Sequence, residues 1–457
     1  SSSEASLSIQ DSLSVVTSYI QSGGTLGGPG ALGVTGSLLW SGGTMSGNGQ
    51  SFPEGGMEIT GNDSKTLDSR TLSVPSGTDL VVSGSNLAGQ NGATLLVETG
   101  AALRITSDNH SGLFQAGAGG ATIQNNGNII KDSGTTSELF LGWDIINSGS
   151  IELNLQDAIL GISGSLTDRN GSYHAAAGTL SFDTNGPYSL SDGSAVTTAP
   201  NGTIRFATTG SGNSDITLPG TFNSDGTTVI RSDGSGVATV TFPATADITS
   251  LGSTSVIVGG SQGELNLEGD EPITIGTLVL NAGGFLSLNS DLTVTDSYTQ
   301  NHQTAVIESD FDVTVNGIFT WSGGIMRGTG TTFANSGMQI SGSSEANTKV
   351  LNTRSLQVTQ GVIDYRGNRF FAGNGSRFVI GENATLNMRP QNETTSMDVL
   401  QGSSEAPVLR NEGLINSVNN NNVLIVNWDV QNAGTIDLGN SELVIDAPNG
   451  ILNDGII

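Results

Sequence analysis

The chain has 457 residues, no cysteine, and a formal charge of −27 from 42 acidic and 15 basic side chains. Disulfide stapling and thiolate chemistry are excluded, and the charge opposes binding to nucleic acid or to an anionic membrane surface. With 66 glycines and 11 prolines, the composition describes short strands and frequent turns, and no run approaches the roughly 18 apolar residues of a membrane span.

Along the chain, Leu13-Ser-Val15-Val-Thr-Ser-Tyr19-Ile-Gln21 opens a pattern that comes back as Leu292-Thr-Val294-Thr-Asp-Ser-Tyr298-Thr-Gln300. Val34, Gly36, Leu38 and Trp40 then alternate with Thr35 and Ser37, which predicts a strand with Trp40 on its buried face. The block Trp40-Ser-Gly-Gly-Thr-Met45 returns as Trp321-Ser-Gly-Gly-Ile-Met326, 281 residues on, with the same parity through Val315, Gly317 and Phe319. Lys65-Thr-Leu67-Asp-Ser-Arg70-Thr-Leu72 returns as Lys349-Val-Leu351-Asn-Thr-Arg354-Ser-Leu356 at 284, and Trp143-Asp144 as Trp428-Asp429 at 285. An offset that drifts by only a few residues means that one long unit was copied and trimmed at its loops. The sequence therefore divides into a first long repeat, 1–291, and a second, incomplete copy, 292–457, continuous with it.

Inside the long repeat lies a short one. Asn125-Asn-Gly127-Asn-Ile129 and Asn147-Ser-Gly149-Ser-Ile151 are 22 residues apart. Asn411-Glu-Gly413-Leu-Ile415, Asn432-Ala-Gly434-Thr-Ile436 and Asn453-Asp-Gly455-Ile-Ile457 follow at steps of 21. Between them, Leu265-Asn-Leu267, Leu278-Val-Leu280, Leu286-Ser-Leu288 and Val313-Thr-Val315 alternate as half-buried strands do. The period predicts an all-β fold, a right-handed parallel β-helix with coils of about 20 to 25 residues stacked into one continuous rod on the order of 90 to 110 Å. In that register Asn411, Asn432 and Asn453 form a hydrogen-bonded ladder, Gly413, Gly434 and Gly455 supply a positive φ, and Ile415, Ile436 and Ile457 form a buried stripe.

Candidate chemistry is sparse. The histidines His110, His174 and His302 share no motif, which gives no support to a histidine metal site or a catalytic imidazole. Asp310 and Asp312 are the best carboxylate pair, expected on one strand face as a general acid and base would be; the first copy has Gly-Gly-Pro-Gly-Ala31 there. Gly259-Gly-Ser261-Gln-Gly263 and Gly28-Pro-Gly30-Ala-Leu-Gly33 match catalytic and dinucleotide motifs on paper, but neither opens a helix, so both read as turns. Trp40 and Trp321 read as core; Trp143 and Trp428 are open between core and a sugar-stacking surface. Asp108, Asp132, Asp192, Asp225, Asp233 and Asp270 sit in turn-like contexts without an EF-hand or nonapeptide calcium motif, so the cofactor expectation is none beyond weakly bound calcium.

The Trp-Ser-Gly-Gly block, the Lys-x-Leu-x-x-Arg block and the Asn-x-Gly-x-Ile rungs resemble the long repeats of very large bacterial surface and secreted proteins. Filamentous-haemagglutinin-type and autotransporter adhesins are the characterised examples. The resemblance implies a parallel β-helix serving as a segment of an extracellular fibre, matrix filament or adhesin stalk, without enzymatic activity. Its expected partners are further copies of itself or adjoining repeats stacked end to end, and a surface or polysaccharide ligand. The alternative class is a carbohydrate-active β-helix (a polysaccharide lyase, hydrolase or phage-type depolymerase) with Asp310 and Asp312 in a lateral groove.

Overall fold

A computed structural model describes residues 5–15, 17–85, 87–107, 114–134, 138–183, 186–342, 347–367, 369–389, 394–417 and 423–457. Among these there is no α-helix, and none long and apolar enough to cross a membrane. The chain is all-β, a β-solenoid of about 19 turns in which strand pairing runs parallel from coil to coil. It forms two compact units, Ser1–Thr227 with Thr245–Thr249, and Thr228–Ala244 with Ser250–Ile457. The boundary lies within the first long repeat, so compact unit and sequence repeat are different partitions of the chain.

The coil arises because short alternating runs are broken by glycine, asparagine and aspartate before a longer strand can grow, and each corner sends the chain onto a new face. In the first unit an eight-stranded sheet includes Leu13–Val15, Leu32–Val34, Gln50–Pro53, Thr71–Val74 and Ala93–Val97. Its inward column pairs Leu13, Leu32, Ser51, Leu72, Leu95, Ile123, Ile145 and Leu166. The predicted parity around the first tryptophan holds across a corner. Val34, Leu38 and Trp40 are buried and Thr35 and Ser37 exposed, although Leu32–Val34 and Ser37–Ser46 are separate strands.

The amide ladder is present in both units. Asn125 Nδ2 donates to Asn147 Oδ1 at 2.8 Å, Asn411 Nδ2 to Asn432 Oδ1 at 2.7 Å, and Asn432 Nδ2 to Asn453 Oδ1 at 2.6 Å. Ile415 pairs with Ile436, and both are buried, at 2 % and 3 % exposure. Ile457 corrects the expectation. It is 63 % exposed, while its neighbour Ile456 bridges to Thr435 of the preceding coil. The glycines of these rungs also work differently from the expectation, since none of Gly413, Gly434 and Gly455 has a positive φ. A Cβ on Gly434 would lie 2.1 Å from the carbonyl oxygen of Gly413, and one on Gly455 2.1 Å from that of Gly434. These positions are glycine because successive turns touch backbone to backbone. Replacing Ile436 with alanine should lower the local unfolding free energy by about 2 to 4 kcal/mol through lost burial and a cavity. Asn432→Ala should cost about 1 to 3 kcal/mol, by leaving one N–H of the Asn411 amide without its acceptor while the other keeps the Thr435 carbonyl. Native-state hydrogen exchange of the strand Thr435–Asp437 would check both, and protection unchanged in Ile436→Ala would refute the packing argument.

Candidate functional site

Most of the residues that mark the repeat lie inside, although Asp144 of the shared Trp-Asp pair is exposed. Trp40, Trp143, Trp321 and Trp428 all have 0 % exposure, which removes sugar stacking as a role for any of them. One equivalent pair makes equivalent bonds, Trp143 Nε1 donating to the Gln115 carbonyl at 3.0 Å and Trp428 Nε1 to that of Asp398 at 2.9 Å; in the other, Trp40 Nε1 donates to the Gly42 carbonyl at 3.1 Å and Trp321 Nε1 has no acceptor among the described residues. Gln21 and Gln300 are likewise buried, donating to the carbonyls of Thr44 and Ile325 at 3.0 and 3.1 Å.

More unusual are the cations of the Lys-x-Leu-x-x-Arg block, all four at 1 % exposure or less. Lys65 Nζ donates to the carbonyls of Thr60, Gly61 and Asp63 at 3.0, 3.0 and 2.7 Å. Lys349 Nζ does the same to Ser341, Gly342 and Asn347 at 2.8, 3.4 and 3.1 Å. Arg70 reaches Gly28, Gly30, Ser46 and Gln50 carbonyls and the Ser51 hydroxyl. Arg354 reaches the carbonyls of Ser309, Phe311 and Thr331 and the Thr332 hydroxyl, at 2.5, 2.9, 3.2 and 2.8 Å. Each guanidinium thus ties its own coil to the two preceding coils at a corner. The residue before it, Ser69 or Thr353, holds a left-handed φ of 58° or 61°, a conformation that β-branched Thr353 adopts only under constraint.

Burial holds all four cations below their ordinary pKa values, Lys349 at about 8. Unfolded lysine titrates near 10.4. Below about pH 8 both states carry the proton and the folded chain bears the burial penalty. Between there and about 10.4 the unfolded chain keeps a proton that the folded chain has shed, so stability rises with pH across that window. Lys349→Met should flatten this rise. Denaturant midpoints from pH 7.5 to 10.5 (roughly the window set by the two pKa values) would show it, and equal slopes in both proteins would count against it.

Asp310 and Asp312 lie in the bend between the strands Leu292–Ser309 and Val313–Val315, not on one strand face as expected. The bend forms because this corner supplies the Phe311 carbonyl to Arg354. Both carboxylates are already engaged by the following coil. Asp310 Oδ1 accepts from the Thr329 amide and hydroxyl at 2.8 and 3.0 Å, and Asp312 Oδ1 from the Thr331 amide at 2.8 Å. The amide and hydroxyl of Thr329 hold the Asp310 carboxyl below the ordinary range, opposite to what a general acid needs. His174 Nδ1 pairs with Thr197 Oγ1 at 2.7 Å and His302 Nδ1 with Thr304 Oγ1 at 2.9 Å. His110 and Asp108 lie outside the described residues. Among those that are described, no group of three or more His, Asp or Glu side chains is gathered to hold a metal ion.

An open groove of about 710 Å³ in the first unit is lined by Gly55, Gly56 and Gly77 together with the carboxylates Glu54, Glu58 and Asp79. Glu58 Oε1 accepts from Ser83 Oγ at 3.1 Å, and Asp79 Oδ2 from Arg104 Nε at 2.8 Å. Sequence reasoning missed it because the three carboxylates are joined only by coil register; aligning the sequence at the coil period would have brought Glu58 beside Val81 and Arg104. The second copy carries Ile318, Gly337 and Val362 where the first has Ser37, Gly56 and Asp79, and Ile318 and Val362 are 62 % and 51 % exposed. The groove's carboxylates are therefore particular to the first copy. No protein-family model, curated protein or solved structure matches this chain.

Proposed function

We propose that the protein is an extracellular structural and interaction protein, a segment of a fibre, matrix filament or adhesin stalk, and not an enzyme. One observation carries this reading. Most of the residues singled out as common to the two copies (the tryptophans, Gln21 and Gln300, the lysines and arginines) are interior, and the cations are bonded to backbone, while outward positions such as Asp79 and Val362 differ. What was copied is architecture, and a scaffold gains from more coils where an enzyme gains nothing from a second frame without a second site. Further copies or adjoining repeats stacked coil on coil are the partners this architecture suits, since a coil's open strands accept another by β-augmentation. An antibody raised against the chain should label intact source cells or their extracellular fibres; signal appearing only after permeabilisation would overturn the localisation.

The carboxylate-lined groove favours one second reading, a polysaccharide-binding or polysaccharide-cleaving surface. Incubation with acidic and neutral polysaccharides should release no new chain ends. Release that disappears in Glu58→Gln or Asp79→Asn would establish the enzyme instead.

A further inference from the structure

One outward column of the second unit has the same order of residue classes in both directions. Successive coils stack Glu264, Phe285, Val306, Ile325, Val350, Phe371 and Asp398 in register. The five apolar members are half-buried, while their strand neighbours Leu286, Ile307, Met326, Leu351 and Phe370 are at most 1 % exposed and face the core. At about 4.8 Å per coil, the apolar rows cover about 19 Å. The first copy has Ser6, Thr25, Thr44, Thr66 and Ala88 at the equivalent outward positions, so the coil itself does not require an apolar column there.

The order acid, Phe, Val, Ile, Val, Phe, acid is symmetric about Ile325. A two-fold axis through Ile325 along the strand direction lays Phe285 on the partner's Phe371, Val306 on the partner's Val350, and Ile325 on itself, which is the self-complementarity an isologous interface demands. The neighbouring charges obey the same symmetry. Arg327 lies on the central row and is ion-paired with Glu308 one coil away. The rotation sets Arg327 opposite the partner's Arg327 on the central row, with one Glu308 a coil away on each side, so the two guanidiniums share two carboxylates. At the ends, Arg369, 3.6 Å from Asp398, comes beside the partner's Glu264 and offsets the approach of the two terminal acids. The geometry points to a face-to-face, two-fold association of two copies of this chain through this column, a lateral contact separate from end-to-end stacking.

The absence of cysteine makes the test direct. Ile325→Cys places a thiol on the axis, and mild oxidation should convert the chain to a disulfide-linked dimer, while Thr44→Cys at the equivalent outward position of the first copy should give only traces. By sedimentation, the unmodified chain should dimerise at physiological ionic strength, where charges more than about 8 Å apart are screened. Ile325→Lys should abolish that dimer and Thr44→Lys should not, with circular dichroism unchanged in both. A chain that stays monomeric at its highest soluble concentration overturns the proposal. So do equal cross-linking of the two cysteine variants and a dimer that survives Ile325→Lys.

Discussion

Arg354→Met should lower the opening free energy of the coils around the bend Asp310–Asp312 by about 3 to 5 kcal/mol, the range expected when one member of a buried charged network is removed. Methionine fills much of the same volume and carries no charge to bury, so the loss comes from the acceptors left behind. The carbonyls of Ser309, Phe311 and Thr331 and the hydroxyl of Thr332 lose their shared donor inside a packed corner, and unsatisfied buried groups cost about 1 to 3 kcal/mol each before relaxation. Arg354→Lys should fall between, because a single ammonium cannot serve two coils with a rigid fork. Arg70→Met should do the same in the first unit. Hydrogen exchange of the amides from Ser309 to Thr332 is the measurement; a change below about 1 kcal/mol would mean the cation adds no more than an ordinary surface pair.

Trp428→Ala should be comparably damaging, at about 3 to 5 kcal/mol. The Phe370 ring stands nearly perpendicular to two indoles, with centroids 4.9 Å from Trp428 and 5.0 Å from Trp321. Removing Trp428 opens a cavity beside that ring and takes the indole donor from the Asp398 carbonyl. The first copy solves the same packing with its aromatic ring one coil later, where Trp143 meets Phe114 edge-on at 5.7 Å and Leu87 occupies the place of Phe370. Trp428→Phe should recover most of the packing but not the bond to Asp398. Denaturation followed by tryptophan fluorescence would rank the variants, and an alanine variant as stable as the phenylalanine one would refute the cavity argument.

Periodicity made the coil and the ladder legible. Asn411, Asn432 and Asn453 recur at the step that stacking requires, and alternation around Trp40 and Trp321 placed both indoles inside. What escaped the sequence is whatever depends on three coils meeting at one point. A lysine or arginine reads as a surface residue when judged alone, because the acceptors that offset its burial are backbone carbonyls, 20 to 45 residues away for the arginines and in a turn 2 to 8 residues back for the lysines. The signal was present nonetheless, since a chain with only 15 basic residues kept Lys and Arg at the same spacing in both copies. The rung glycines were misread for a related reason: a turn-rich sequence suggests positive φ, whereas their absent side chains make room for the backbone of the adjacent coil. Asp310 and Asp312 looked free for catalysis because sequence does not reveal that the next coil offers them amides.

The asparagine columns have a sense as well as a position. In each, the amide nitrogen hands its hydrogen to the oxygen of the next residue towards the C-terminus, so the dipoles add head to tail. The first member of each column keeps an oxygen without a donor, on Asn125 and on Asn411. A column of this kind behaves as a zipper that grows in one direction: every added amide strengthens the polarisation of those before it, and a coil presenting its asparagine reversed would meet donor with donor. Pairing along these columns therefore discriminates between the two orientations of an incoming turn, a selectivity that apolar stripes alone do not possess.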